Sequence, residues 1–195
     1  MKNKNSLIYA VVFMLLLTAV TTLVLALLDQ STRVRVEEQQ LLEKHQAILY
    51  SAGIDVPPEE VDAVFAERFI EVADAEETYE YYEGEKLVGY IVPYEGGLLW
   101  GSVTGYVGIS AEGDKLLGMD VVSNSETPGL GGRITEEWYR SQFRNLELVR
   151  SPYLVYRPAS GGNVDAIAGA TQTSESLRAI LNDTLNSFMD QKGGN

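Results

Sequence analysis

The residues best suited to chemistry lie in one short segment near the end of the chain. Positions 165–174 read DAIAGATQTS, in which Gly169 and Ala170 precede three hydroxyl side chains, those of Thr171, Thr173 and Ser174. Small residues allow a bulky group to approach the backbone closely, and the N–H groups at the start of a helix attract an anion such as phosphate. Because the same hydroxyl groups are also ordinary helix N-caps, this segment alone leaves open both a ligand site and a cap.

A second candidate segment, Ser125–Arg133, reads SETPGLGGR and contains three glycines and one proline. This composition is too flexible for a helix or a central strand, so it predicts a loop. Glu126 of this loop and Asp165 could in principle form the carboxylate pair of a hydrolase. A chain with 28 acidic residues offers many such pairs, and nothing else in the sequence supports this alternative.

The composition excludes most other kinds of site. The chain has 195 residues, no cysteine and a single histidine, His45, in a segment that has the pattern of an ordinary helix. It therefore has no disulfide, no iron–sulfur cluster, no thiol nucleophile and no multi-histidine metal centre, and we predict neither a metal site nor catalytic residues. The formal net charge of −13 disfavours nucleic-acid binding, because an acidic surface repels phosphate backbones.

The candidate segments must be positioned by an α+β domain with an antiparallel sheet and packed helices. Apolar residues at helical spacing predict helices over 33–53 and 58–72. β-forming residues on both sides of Glu83-Gly84 and of Glu112–Asp114 predict two hairpins. We further predict a short helix over 135–143, short strands at 146–149 and 164–168, and a last helix that begins at Thr173 or Ser174. The apolar stripe of this last helix is Leu177, Ile180, Leu181, Leu185 and Phe188.

An uncharged apolar stretch, Leu7–Leu28, precedes all the acidic residues. A helix of this length spans roughly 33 Å, enough for the ~30 Å core of a bilayer, so we predict a transmembrane helix. A secretory signal peptide is the alternative. Signal peptides, however, have a shorter apolar core than Leu7–Leu28 and end at a small-x-small cleavage site, and no clear site of this kind precedes Asp29. Lys2 and Lys4 place residues 1–6 in the cytoplasm, so that a helical stalk over 29–56 and a domain over 57–195 lie outside it.

The segment at 165–174 resembles the flavinylation motif of the FMN-binding domain family, roughly D-x-x-S-G-A-T-x-T-S. The matching residues are Asp165, Gly169, Ala170, Thr171, Thr173 and Ser174, whereas Ala168 stands where the family has serine. In that family the last threonine of the motif carries FMN through a phosphoester bond, which a separate flavin transferase makes with FAD as the donor. The resemblance therefore implies covalent FMN at Thr173, with the neighbouring motif residues around it.

The glycine-rich loop resembles a second motif of the same family. Glu126–Gly132, followed by Trp138, is similar to the E-T-P-G-L-G loop that lies against the flavin, and Gly97–Trp100 and Gly105–Gly108 are similar to segments that precede it. The resemblance implies that the cofactor contacts Glu126, Thr127, Leu130 and Gly131. For Trp100 and Trp138, a place in the core is the more typical expectation.

The resemblance spans nearly the whole chain and points to two groups of membrane proteins. These are the G subunits of Rnf-type ferredoxin:NAD oxidoreductases, which the chain resembles in length, and the C subunits of the sodium-translocating NADH:quinone reductases, which it resembles in its GLLW segment. Either group implies a single-pass protein of the inner membrane that carries electrons on FMN. It would act together with other membrane subunits of a redox complex that drives ion transport, and not as a stand-alone enzyme.

The alternative from a different class is an extracytoplasmic binding or scaffold module without flavin. In that case the hydroxyl residues only cap the last helix and the acidic surface only keeps the domain solvated. Such a protein would be colourless and would have the mass of its unmodified sequence.

Overall fold

A single long helix forms the N-terminal part of the chain. The computed structural model describes residues 2–73, 75 and 77–193, with side chains from residue 7 onward. Helix α1 is continuous over Lys2–Ser51, and its residues from Leu7 to Leu28 are exposed. It is long and apolar enough to cross a membrane. The side chains of Lys2 and Lys4, on which the predicted orientation depends, lie outside the described part.

The chain divides into two compact units, one that ends at Leu41 and one that begins at Leu42. The second unit contains a six-stranded antiparallel sheet whose strands follow one another in chain order. The strands are β1 Phe69–Glu71, β2 Tyr79–Glu83, β3 Lys86–Gly97, β4 Ser102–Ser110, β5 Lys115–Asn124 and β6 Leu146–Glu147. The two predicted hairpins are confirmed as β2–β3 and β4–β5. A further hairpin joins β3 to β4 through residues 98–101, which include most of the GLLW segment.

The second predicted helix was too long. Helix α2 covers only Val61–Arg68, and the residues after it form β1. Strand pairing outweighs the helical pattern here, because Phe69 lies opposite Tyr81 of β2 and their rings stack at 5.2 Å. The predicted helix over 135–143 is also broken up: a four-residue helix, α3 Glu137–Arg140, lies between 3-10 turns at 131–135 and 141–143.

The two short strands predicted after α3 are mostly irregular. Of residues 146–149 only β6 is a strand, and residues 164–168 form none, since Val164 makes a single bridge to Tyr156. The side chain of Asn163 replaces a strand ladder here, because it accepts from the N–H of Val155 and donates to the carbonyl of Tyr153. Val164 and Ile167 are buried in the core, which explains why their pattern resembles a strand.

Both faces of the sheet are apolar. On β4, Val107 packs in a cluster with Leu177 and Leu181, whereas its neighbour Tyr106 packs in a second cluster with Ile48 and Leu49. Adjacent residues of a strand point to opposite faces. The last helix, α4 Thr171–Gly193, therefore covers one face, and the final turns of α1 cover the other.

Asn182 joins α4 to the irregular segment before it. Its buried side chain accepts from the N–H of Leu154 at 2.9 Å and donates to the carbonyl of the same residue at 3.0 Å. We expect Asn182→Ala to lower the free energy of unfolding by about 2–3 kcal/mol, because both backbone groups lose their partner in the core. Urea unfolding of the full chain measures this. Asp183→Ala, at the adjacent exposed position, should change the value by less than about 0.5 kcal/mol, and equal effects of the two variants would contradict the assigned role.

Candidate functional site

The hydroxyl-rich segment forms the first turn of α4. The helix begins at Thr171, earlier than the predicted Thr173 or Ser174, because the N–H of Ser174 already donates to the carbonyl of Ala170 at 3.0 Å. The chain enters the helix through Gly169, whose φ of +81° disfavours any residue with a side chain. This early start turns Thr173 inward, and its exposed fraction is 1%.

The buried hydroxyl residues bind groups outside the helix and are not simple N-caps. The Oγ of Ser174 accepts from the N–H of Ile167 at 3.0 Å, which fixes the turn that precedes α4. The Tyr156 hydroxyl donates to the carbonyl of Ser174 at 2.8 Å and lies 2.9 Å from the Tyr139 hydroxyl. This chain of hydrogen bonds holds the start of α4 against α3.

The two candidate segments meet at Thr173 and Glu126. The Thr173 hydroxyl donates to Oε2 of Glu126 at 2.7 Å, although the two residues lie 47 positions apart. The other carboxylate oxygen, Oε1, accepts from the N–H of Trp100 at 2.9 Å, and Glu126 is itself buried. The carboxylate therefore links the turn between β3 and β4, the glycine-rich loop and the first turn of α4.

Gly131 closes this site from the side of the loop. A Cβ at this position would lie 2.2 Å from Oε2 of Glu126 and 2.7 Å from Oγ of Thr173, so any residue other than glycine would displace these two side chains. The loop around it is a compact turn in which the carbonyl of Thr127 accepts from the N–H groups of Leu130 and Gly132. Gly131 of this turn thus covers the Thr173 hydroxyl.

Exposed apolar side chains border the covered hydroxyl. Leu130 is 50% exposed and lies next to Gly169, and Trp100 is 70% exposed at the turn that binds Glu126. Trp138 is exposed as well and stacks against the Arg133 guanidinium at 5.2 Å. The expectation that both tryptophans belong to the core was wrong, because the turn and α3 leave them on the surface.

The remaining predicted residues lie at the edge of the site. Thr171, Thr127 and Ala168 are exposed, and Ala170 is buried under the first turn of α4. Asp165 forms an ion pair with Arg157 at 2.8 Å, whereas Glu126 binds Thr173. In the described part of the chain these two carboxylates therefore have different partners, which removes the support for a hydrolase pair.

Two contributors to the site were missed by sequence reasoning. The N–H of Trp100 is a backbone group and leaves no trace in residue type, so only the fold identifies it as a donor to Glu126. Asn124, whose Oδ1 accepts from the N–H of Glu126 at 3.0 Å, precedes Glu126 by two residues. Asparagine commonly binds the backbone two residues further along, so this contact was predictable from the sequence.

Three buried tyrosines predict a loss of stability in alkaline solution. Burial raises the pKa of Tyr94, Tyr139 and Tyr156 above the usual value of 10.0. Between pH 10 and the folded-state pKa values, the unfolded chain loses these protons while the folded chain keeps them, so the free energy of unfolding falls as pH rises. We expect the urea midpoint to decrease from pH 9 to pH 11, with a smaller decrease for Tyr139→Phe. An equal decrease in this variant would exclude a contribution of Tyr139.

The part of the chain that contains the site matches a known protein family. Residues 99–186 match the FMN-binding domain family. The matched range includes Trp100, the glycine-rich loop and the first turn of α4, and it leaves out β1, β2 and β3. The residues that form the site geometry thus lie in the part of the chain that is common to this family.

Three relatives differ in how much of their own length matches this chain. The G subunit of the ion-translocating oxidoreductase complex of Methanosarcina acetivorans is 27% identical over 202 residues, which cover 99% of this chain and 100% of that protein. The G subunit of the proton-translocating ferredoxin:NAD(+) oxidoreductase complex of Clostridium ljungdahlii is 27% identical over 66% of this chain and 69% of that protein. The C subunit of the Na(+)-translocating NADH-quinone reductase of Pasteurella multocida is 29% identical over 73% of this chain, but only 53% of that protein is matched.

A solved structure has the same fold. The C subunit of the Na(+)-translocating NADH-quinone reductase from Parabacteroides distasonis superposes with a TM-score of 0.66, over 79% of this chain and 94% of that chain. The two sequences are 23% identical, so the likeness establishes the fold and no more. The predicted α+β class, with an antiparallel sheet and packed helices, is confirmed.

Proposed function

Because residues 99–186 match the FMN-binding domain family, we propose that the chain is a membrane-anchored flavoprotein subunit of an ion-translocating electron-transport complex. It carries electrons on FMN that is attached to Thr173 by a phosphoester bond. FMN supplies reversible electron transfer when it is bound. The protein holds the cofactor, orients it and keeps it from being lost.

One contact carries this proposal. The hydrogen bond from Thr173 to Glu126 joins the two segments that resemble the family's motifs, which are 47 residues apart in the sequence. Each segment alone has an ordinary explanation, as a helix start or as a surface turn. A buried threonine that bonds to a buried carboxylate beneath a glycine has no such simple explanation, because a helix cap needs none of these partners.

The residues at the start of α4 suit a phosphoester. The first N–H groups of a helix have no intrahelical partner, and the helix dipole stabilises a nearby anion by about 0.3–1 kcal/mol. Gly169 leaves the approach to this turn free of a side chain. Since Thr173 is 1% exposed, the loop over 127–132 has to move away before the bond to phosphorus can form.

The surface beside Thr173 suits the flavin ring. Leu130 and Trp100 present exposed apolar side chains, and the ring can pack on them once the phosphate is fixed at Thr173. Thr127 is exposed at the start of the glycine-rich loop, where its hydroxyl can bind the polar edge of the ring. Thr171, Gly169, Ala170 and Ser174 shape the turn that carries the phosphate.

The extent of the matches favours a complex of the Rnf type. The relative from Methanosarcina acetivorans is matched along its whole length, whereas about half of the relative from Pasteurella multocida is matched. In such a complex the chain is a single-pass protein of the inner membrane, with its N-terminus in the cytoplasm and its domain outside. It requires other membrane subunits, because one helix cannot conduct ions, and a flavin transferase for its maturation.

A deletion strain tests this function. Removal of the chain from the cells that encode it should lower the ferredoxin:NAD oxidoreductase activity of their membranes to background, and the wild-type chain should restore it. Thr173→Val should fail to restore the activity, while Gln172→Ala, at the exposed neighbouring position that the motif leaves open, should succeed. Full restoration by Thr173→Val would contradict the proposal and favour the flavin-free scaffold.

A further inference from the structure

We propose that Glu126 is the catalytic group that removes the proton from Thr173 when FMN is attached. This inference rests on the proposed function, because it concerns how the phosphoester at Thr173 forms. A threonine hydroxyl is a weak nucleophile, and enzymes activate such groups with an adjacent base. The flavin transferase delivers the donor of FMN. The chain itself provides the carboxylate of Glu126, which is hydrogen-bonded to the accepting hydroxyl of Thr173.

The contact between the two groups has the geometry that proton transfer requires. Oγ of Thr173 and Oε2 of Glu126 are 2.7 Å apart, within the range of a general base and its substrate hydroxyl. Thr173 and Glu126 are 1% and 7% exposed, so water has little access to either group. The hydroxyl donates its only proton to this oxygen, which leaves the lone pairs of Oγ free to attack.

The position of Glu126 does not depend on the loop that has to move. Its own N–H donates to Asn124, and the N–H of Ser125 donates to the carbonyl of Ser102 at 3.2 Å. Its second carboxylate oxygen is held by the N–H of Trp100. These three contacts anchor residue 126 to the ends of β4 and β5. Residues 127–132 can therefore move away from Thr173 while Glu126 keeps its hydrogen bond to the Thr173 hydroxyl.

The attachment step balances with a flavin dinucleotide as donor. Oγ of Thr173 forms a bond to the phosphorus on the riboflavin side of the pyrophosphate, and the bond from that phosphorus to the bridging oxygen breaks. The adenosine monophosphate leaves with the bridging oxygen and its electron pair. The proton of Thr173 passes to Oε2 of Glu126 and then to water. No oxidant or reductant takes part.

Glu126→Gln is the sharpest test, because it removes the base and keeps the shape. The amide oxygen can still accept from the N–H of Trp100, while the amide nitrogen then faces Thr173 and can only donate to it. With the full-length chain in detergent, FAD and a flavin transferase, we expect the turnover rate of attachment to fall about 100-fold. The KM for the acceptor chain and its melting temperature should stay close to wild type. Glu136→Gln, an exposed carboxylate after the same loop, should react at the wild-type rate.

The outcomes separate this inference from the proposed function. A rate for Glu126→Gln within threefold of wild type would refute the role of Glu126 and leave covalent FMN intact. A wild-type chain that acquires no flavin would refute the proposed function itself. If Glu126→Gln does not fold, Glu126→Ala with added formate replaces it. Attachment should then be faster in formate than in chloride of equal ionic strength, and equal rates would overturn the proposal.

Discussion

A Thr173→Val chain produced in cells with a flavin transferase will contain no covalently bound flavin. Valine has the shape of threonine, but it lacks the oxygen to which the phosphorus has to bind. The expected loss is complete, because no chemical route to the phosphoester remains. In a denaturing gel the wild-type band should fluoresce under ultraviolet light, and the Thr173→Val band should stay dark at equal protein load.

The control for this loss is Gln172→Ala, which changes the exposed side chain next to Thr173 at a position that the motif leaves open. Its band should fluoresce like wild type. Thr173→Val also removes one hydrogen bond from the buried Glu126, at a cost of about 1–3 kcal/mol, so the melting temperature of both variants has to be measured. Fluorescence of a folded Thr173→Val chain would show that the flavin is attached elsewhere.

Gly108→Ala will strongly destabilise the domain. A Cβ at this position would lie 2.0 Å from the carbonyl oxygen of Ser51, at the end of α1. This oxygen is a backbone atom, and Ser51 is further fixed by the hydrogen bond from its hydroxyl to the carbonyl of Tyr106. We expect a cost of about 3 kcal/mol, because the end of α1 has to move off the sheet. Scanning calorimetry should show a melting temperature lower by roughly 6–12 °C.

Gly97→Ala is the matched control for this substitution. Gly97 is the last residue of β3, and a Cβ there would meet no atom within 4 Å. Its effect should stay within about 0.5 kcal/mol of wild type. Equal melting temperatures of the two variants would mean that α1 does not pack on Gly108.

The hairpins were predictable because their signals are local. Glu83-Gly84 and Glu112–Asp114 combine turn residues with β-formers on both sides, and each turn joins two strands that are neighbours in the chain. The end of α2 was not predictable in this way. Phe69 continues the helical spacing of the preceding residues, but its pairing with Tyr81 depends on a strand that lies twelve positions further along.

The attachment residue was identified from the sequence, but its environment was not. The motif resemblance pointed to Thr173, and the loop resemblance pointed to Glu126. No local pattern says that the two side chains bond to each other, or that Gly131 lies on both of them. That arrangement follows from the packing of α4 on the sheet, which brings residues 47 positions apart into contact. The exposure of Trp100 was missed for the same reason.

The most direct test of the central claim is the intact mass of the full-length chain, purified under denaturing conditions from cells with a flavin transferase. We predict the sequence mass increased by one FMN less one water, with the added mass located on Thr173 by peptide fragmentation. A chain of unmodified mass from cells that flavinylate another acceptor protein would contradict covalent attachment and leave the scaffold alternative in its place.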